Sequence, residues 1–196
     1  MTVSIKKQEI EDAEKIYLDK VLWGYTKYTP KVYAQIIYND LGFEIKFTVH
    51  ESEPLTEKTQ HCDNIHEDSC VEFFANFDPE HSNKYMNFEV NANGIMKAAI
   101  RTDRQNFNFL SLEDIADLNI ETMIEEESWS VSYKIKTSLL QKFYPEFDIK
   151  KSRYIKANLY KCGEKTKIKH YLSLYELKCE NPDFHRPEYF GIINLI

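Results

Sequence analysis

Asn87, Glu89 and Asn91 occupy every second position of Tyr85-Met86-Asn87-Phe88-Glu89-Val90-Asn91, with Met86, Phe88 and Val90 between them. In an extended strand this spacing puts the amides and the carboxylate on one face and the apolar side chains on the other. Glu72 stands in a similar run, Cys70-Val71-Glu72-Phe73-Phe74. Such a row can hydrogen-bond a polar ligand, but the solvated face of any antiparallel sheet reads the same way. A second group is Phe184-His185-Arg186-Pro187-Glu188. Here His185 beside Glu188 has the make-up of a general base. No Ser or Cys nucleophile is tied to it by a motif, and a loop that orients a ligand is the simpler reading. The third group, His61 to Cys70, packs His61, Cys62, Asp63, His66, Glu67, Asp68 and Cys70 into ten positions. It lacks the tight ligand pairs of a zinc site. Oxygen ligation of calcium through Asp63, Asp68 or nearby carbonyls is chemically easier, although no EF-hand spacing is present.

These residues need a scaffold, and its period is that of strands. Alternating β-branched and aromatic residues predict strands at 32–38, 43–49, 71–77, 85–90, 95–100, 129–135, 154–160, 170–174 and 189–195. Asn39-Asp40-Leu41-Gly42 and Asn91-Ala92-Asn93-Gly94 join neighbouring runs as tight hairpins, because Asn and Gly accept positive φ. Helix is confined to one or two turns after the N-cap Ser111 and to Thr137–Phe143 before Pro145. Many short strands with few helices imply an all-β, antiparallel, two-sheet sandwich of jelly-roll type, since parallel strands would need a helix between each pair. No Gly-rich phosphate loop and no nucleophile elbow occurs.

Composition narrows the partners. The 196 residues are 42% hydrophobic and 14% aromatic, enough for one filled core, and only 5 Gly and 6 Pro leave no linker along which to divide it, so 1–196 reads as a single domain. The net charge of −7 repels phosphate backbones and argues against nucleic acid. No run approaches a membrane span, and the charged start Lys6-Lys7-Gln8-Glu9 offers no signal-peptide core, so the expectation is a soluble, cytoplasmic chain; a processed secreted protein would look identical. The four cysteines read as reduced thiols, with a Cys62–Cys70 bridge open in an oxidising compartment.

Three stretches resemble the family-9 carbohydrate-binding modules, in particular their stand-alone, family-9-like branch: Asp68–Phe74 with Tyr85–Gly94, Ala157–Gly163 leading to His170–Ser173, and Pro182–Gly191. Weaker similarity runs through Trp23-Gly24-Tyr25, Tyr28-Thr29-Pro30 and Val49-His50-Glu51. The resemblance implies a sandwich that presents aromatic planes and polar groups to a mono- or disaccharide, with structural calcium in some members and no cofactor required. The apolar face of a pyranose packs on such a plane while polar side chains bond its hydroxyls. It implies that Glu72 is the acidic residue of the site and that Phe184 lies near one of two platform Trp positions. The other falls near Ile65 or His66, so both Trp are missing there; Glu89 stands where sugar-binding relatives can carry Arg, and Leu174 where the branch often carries Trp.

The expected function is therefore non-catalytic carbohydrate binding by Glu72, Asn87, Glu89, Phe184, His185 and Arg186 around one shallow pocket. The alternatives are a glycan-processing enzyme with paired carboxylates, or a haem-binding redox module using Met86 or Met96 with His170 or His185. Trp23 and Tyr25 are expected at the rim of the sandwich, and no oligomeric state is expected from the residues.

Overall fold

The computed structural model describes residues 2–24 and 28–196. Its strands, in chain order, begin with β1 (Val3–Ile5), β2 (Ile16–Tyr17), β3 (Lys20–Val21), β4 (Lys31–Asn39) and β5 (Gly42–His50). They continue with β6 (Cys70–Asn76), β7 (Tyr85–Asn91), β8 (Met96–Arg101), β9 (Phe107–Phe109) and β10 (Glu121–Ile124). The remainder are β11 (Trp129–Lys136), β12 (Tyr154–Gly163), β13 (His170–Ser173) and β14 (Gly191–Leu195). The two helices, α1 (Leu112–Ala116) and α2 (Thr137–Phe143), are short, and Ser111 caps α1 by accepting from the Asp114 amide.

The strands form two sheets. One has nine strands, in the order β1-β14-β12-β6-β7-β8-β9 with β13 and β3 branching beside β12; the other has five, in the order β10-β11-β5-β4-β2. The architecture is the β-sandwich that the alternation predicts. Pairing is antiparallel except where β1 lies parallel to β14, Val3 opposite Ile193. This exception needs no crossover helix, because the two strands come from opposite ends of the chain. The predicted strand at 189–195 starts late, since Pro187–Tyr189 forms a 3-10 turn instead. Among the described residues no helix is long and apolar enough to cross a membrane.

Facing residues of the two sheets fill the core. Phe43 and Phe47 of β5 and Trp129, Val131 and Tyr133 of β11 pack against Phe73 of β6 and Met86, Phe88 and Val90 of β7. Both predicted hairpins form. Asn39 pairs with Gly42, whose φ is +146°, and Gly94 closes the β7–β8 turn at φ +80° with its amide donating to the Asn91 carbonyl. At one end of the core, fully buried Lys161 lies 3.3 Å from Glu51, which also accepts from the Trp129 indole at 3.0 Å and faces His170 at 3.8 Å. Burial alone would raise the Glu51 pKa, but Lys161, Trp129 and His170 outweigh it and hold the carboxyl below its usual range.

The outer face of the larger sheet departs from the pattern of a solvated face, for every residue of β6 and β7 is buried. A second apolar cluster explains this. Cys70, Phe74, Tyr85, Tyr160, Cys162 and Tyr171 point outward and are roofed by Leu177 and Phe184 from the segment between β13 and β14. The face that would otherwise meet solvent is thereby partly closed over a cavity.

Candidate functional site

The cavity lies on this outer face and has a volume of about 280 Å³. Its floor takes one or more side chains from each of five successive strands: Cys162 of β12, Glu72 of β6, Glu89 of β7, Lys97 and Arg101 of β8, and Phe107 of β9. The register accounts for this, since Cys162 faces Cys70, Glu72 faces Glu89, Glu89 faces Lys97, and Arg101 faces Phe107. Alternation then keeps all of them on one side. Pro182, Asp183, Phe184 and His185, together with His66 and Glu164, complete the lining, and Trp23 and Tyr171 pack beside Phe184 at the β12 end.

The floor is polar. Glu72 is buried beside Glu89, and burial first, then the Glu89 charge, raises its pKa well above the ordinary value. Around Glu89 the contacts are polar: Lys97 approaches it at 3.7 Å and the Asn87 amide donates to it at 3.0 Å. Asn87 in turn accepts from the Arg101 Nε at 2.5 Å. One floor thus offers two adjacent carboxyl groups beside two basic side chains that donate.

The loop is fixed from below. Phe184 stacks on Tyr160 with ring centroids 4.1 Å apart and 9° between planes, and its carbonyl accepts from the Tyr160 hydroxyl. His185 stacks on Phe74 at 4.9 Å and shares a hydrogen bond with the Tyr85 hydroxyl at 3.1 Å. Burial, then Arg101, pushes the His185 pKa down to about 2, so the ring is neutral and no protonated acid at physiological pH. Arg104 pairs with Asp183 at 3.3 Å.

Of the six residues expected to converge, Glu72, Glu89, Phe184 and His185 line the cavity. Asn87 lies immediately beneath, fully buried, and holds Glu89 and Arg101. Arg186 is not brought in: its guanidinium turns outward to Glu188 at 2.7 Å and passes over the Tyr189 ring. The expected role of Phe184 as an open platform also needs correction. One face is covered by Tyr160, the other is tilted against Trp23 at 5.5 Å, and the residue is only 9% exposed.

The exposed aromatic surface of the site comes from residues that sequence reasoning did not select. Trp23 is half-buried at the β12 end, and its indole donates to the Cys179 carbonyl at 2.9 Å and packs edge-on to Tyr171. Its φ of +59° is a strained value for an L residue, a conformation that persists where surrounding contacts impose it. Its residue type and the weaker family similarity of Trp23-Gly24-Tyr25 are the signals for it, and neither predicts proximity to residue 184. Tyr25, expected beside it, lies outside the described residues. Phe107 stands at the β9 end with the Arg101 guanidinium 4.1 Å from its ring centre.

With this geometry the comparisons with known proteins agree. The family model described as carbohydrate-binding family 9 matches residues 5–195. The chain belongs to that family. Three solved structures share the fold across the whole of this chain. One is a Bacteroides uniformis ATCC 8492 protein provisionally named as carbohydrate-binding, at 23% identity, a TM-score of 0.82 and 98% coverage of its chain. The other two are family-9 modules of Caldicellulosiruptor kristjanssonii, one in complex with cellotriose (10% identity, TM-score 0.70, 93% covered) and one with glucose (12%, 0.67, 95%). No curated protein matches the chain.

Structural calcium, which the family resemblance implies, finds a poor donor set in the 61–70 loop. Calcium takes about six to eight oxygens. Asp68 is buried with Oδ1 lacking a hydrogen-bond partner, but its Oδ2 accepts from the Lys58 amide and from Asn91. The Lys58 ammonium supplies positive charge to the same loop through Glu67 at 2.7 Å. Among the described residues no three His, Cys, Asp or Glu side chains converge as metal ligands. All four cysteines are free thiols; Cys62 packs toward the inter-sheet core and Cys70 toward the outer cluster, so the two are not a bridging pair. Met86 and Met96, nominated for haem, are buried between the sheets, on the opposite face from His185.

Proposed function

We propose that the family's sugar binding is carried out in this chain at the outer-face cavity, and that the bound glycan is released unchanged. The observation that carries this reading is the combination on one floor of the Glu72 and Glu89 carboxyl groups with donors on Lys97 and Arg101, and half-buried Trp23 beside them. Sugar hydroxyls need both donors and acceptors, and the C–H face of a pyranose needs an aromatic plane. A glycosidase would place its two carboxyl groups on either side of the scissile bond. Glu72 and Glu89 instead stand side by side on adjacent strands and meet a ligand from the same side.

Titration calorimetry with glucose and cellotriose, followed by xylo- and manno-oligosaccharides, tests the reading. Trp23→Ala is expected to weaken the best ligand by about 1–3 kcal/mol through lost stacking area. Intrinsic fluorescence provides a second readout, because Trp129 is buried in the core and Trp23 is the indole at the site. Silence across the panel, or full affinity in the Trp23 variant, defeats the assignment; turnover of a glycoside defeats its non-catalytic part.

A further inference from the structure

The cavity runs across the strands, not along them, and its floor reaches β9 at the free edge of the larger sheet. From β12 to β9 the floor crosses four strand spacings, about 19 Å at about 4.8 Å each, which is longer than a single pyranose ring. The far end has an unusual surface. Of twelve Phe in the chain, only Phe107 and Phe109 are exposed, at 38% and 46%, and the two rings touch at 5.0 Å between centroids. Both project on the outer face, since Phe107 pairs with Arg101 and Phe109 with Ala99, and Ala99 pairs with Asn87 in the row just below the Glu89 carboxylate. Phe109 therefore continues the floor beyond the cavity, over a small residue that leaves room above it. An exposed aromatic pair on an edge strand is a hazard for edge-to-edge association unless it has an occupant.

We infer that this edge is a second sugar subsite, and that the ligand is an oligosaccharide laid across the strands from Trp23 to Phe107 and Phe109. The inference rests on the sugar-binding reading of the cavity and adds the ligand's length and direction to it. The inner residue of the glycan occupies the Glu72–Glu89 floor, and the outer residue stacks its apolar face on the Phe109 ring. An oligosaccharide suits this path better than a protein strand, because the aromatic surface is continuous with a floor of hydroxyl-binding groups and turns toward it.

The test is a calorimetric ladder of mono-, di-, tri- and tetrasaccharides from the gluco, xylo and manno series, run on the parent, Phe109→Ala and Phe109→Trp. Affinity of the parent is expected to climb with chain length to about three units, the number that the floor accommodates. Phe109→Ala is expected to lower the affinity for the longest ligands on the order of five- to tenfold, the worth of one stacked ring, and to leave the monosaccharide unchanged. Phe109→Trp should restore or exceed parental affinity. Equal affinity for short and long sugars, or a Phe109→Ala ladder that matches the parent's, overturns the second subsite and leaves the cavity reading standing. No binding at any length overturns both. A change in sedimentation of Phe109→Ala without a change in glycan affinity identifies the edge as a protein interface, and likewise overturns the proposal.

Discussion

Phe184 shows how a side chain's chemistry changes with what covers it. An exposed ring would be a stacking platform whose removal costs affinity. This ring lies flat on Tyr160, leans on Trp23 and is 9% exposed, so its removal opens a hole under the loop. Phe184→Ala is expected to lower unfolding free energy by about 3 kcal/mol, read from the urea midpoint, with sugar affinity falling only as the loop loosens. A midpoint equal to the parent's would return Phe184 to the role of platform. Glu72 makes the same point for charge, because burial and then the neighbouring Glu89 raise the pKa of a carboxyl that an exposed strand would leave near its ordinary value.

At the scale of elements, the β7–β8 hairpin sets the register that brings Glu89 opposite Lys97 and Asn87 opposite Ala99. The turn depends on Asn91, whose side-chain oxygen accepts from the amides of Asn93 and Ile95, and on Gly94 at φ +80°. A Cβ at Gly94 would also approach the Thr122 methyl to 3.1 Å. Gly94→Val is therefore expected to cost on the order of 1 kcal/mol or more, seen as a lowered thermal midpoint. An unchanged midpoint would mean that the turn tolerates a side chain and that the register is held elsewhere.

For the whole molecule, buried titratable groups give stability a direction with pH. Burial and Lys161 push the His170 pKa down to about 4, and burial and Arg101 push that of His185 down to about 2, from an unfolded value of 6.5. As pH falls from 6.5 to 4.5 both imidazoles complete their protonation in the unfolded chain while the folded chain resists it, so stability falls as pH falls. Glu72 acts oppositely, because its folded pKa is raised and the folded chain keeps a proton that the unfolded chain releases above 4.5. His81 also works against the trend, but it is exposed and its ion pair with Asp78 is screened. Two histidines against one glutamate leave a net loss of stability between pH 6.5 and 4.5. Urea unfolding at the two values checks it; equal or greater stability at pH 4.5 would show that the histidines titrate freely in the native state.

What the residues alone determined is local. A period of two fixed the strands and placed Asn87 and Glu89 on the face opposite Phe88, because a strand's side chains alternate whatever surrounds it. Asn and Gly fixed the turns, because few residues accept positive φ. The motifs from Asp68 to Gly191 indicated the family, since each keeps a local geometry that the chain carries with it. What tertiary structure alone decided is burial and proximity across long separations. Whether the Asn87 face meets solvent depends on a segment from about one hundred residues further along. Trp23 reaches Phe184 across 161 positions, a contact that no spacing encodes, and Arg186 turns away from the site because Glu188 lies within reach of its guanidinium. Proton placement on Glu72 and His185 follows from that burial, because a charge is disfavoured wherever packing excludes water, and packing is a property of the assembled sheets and loop.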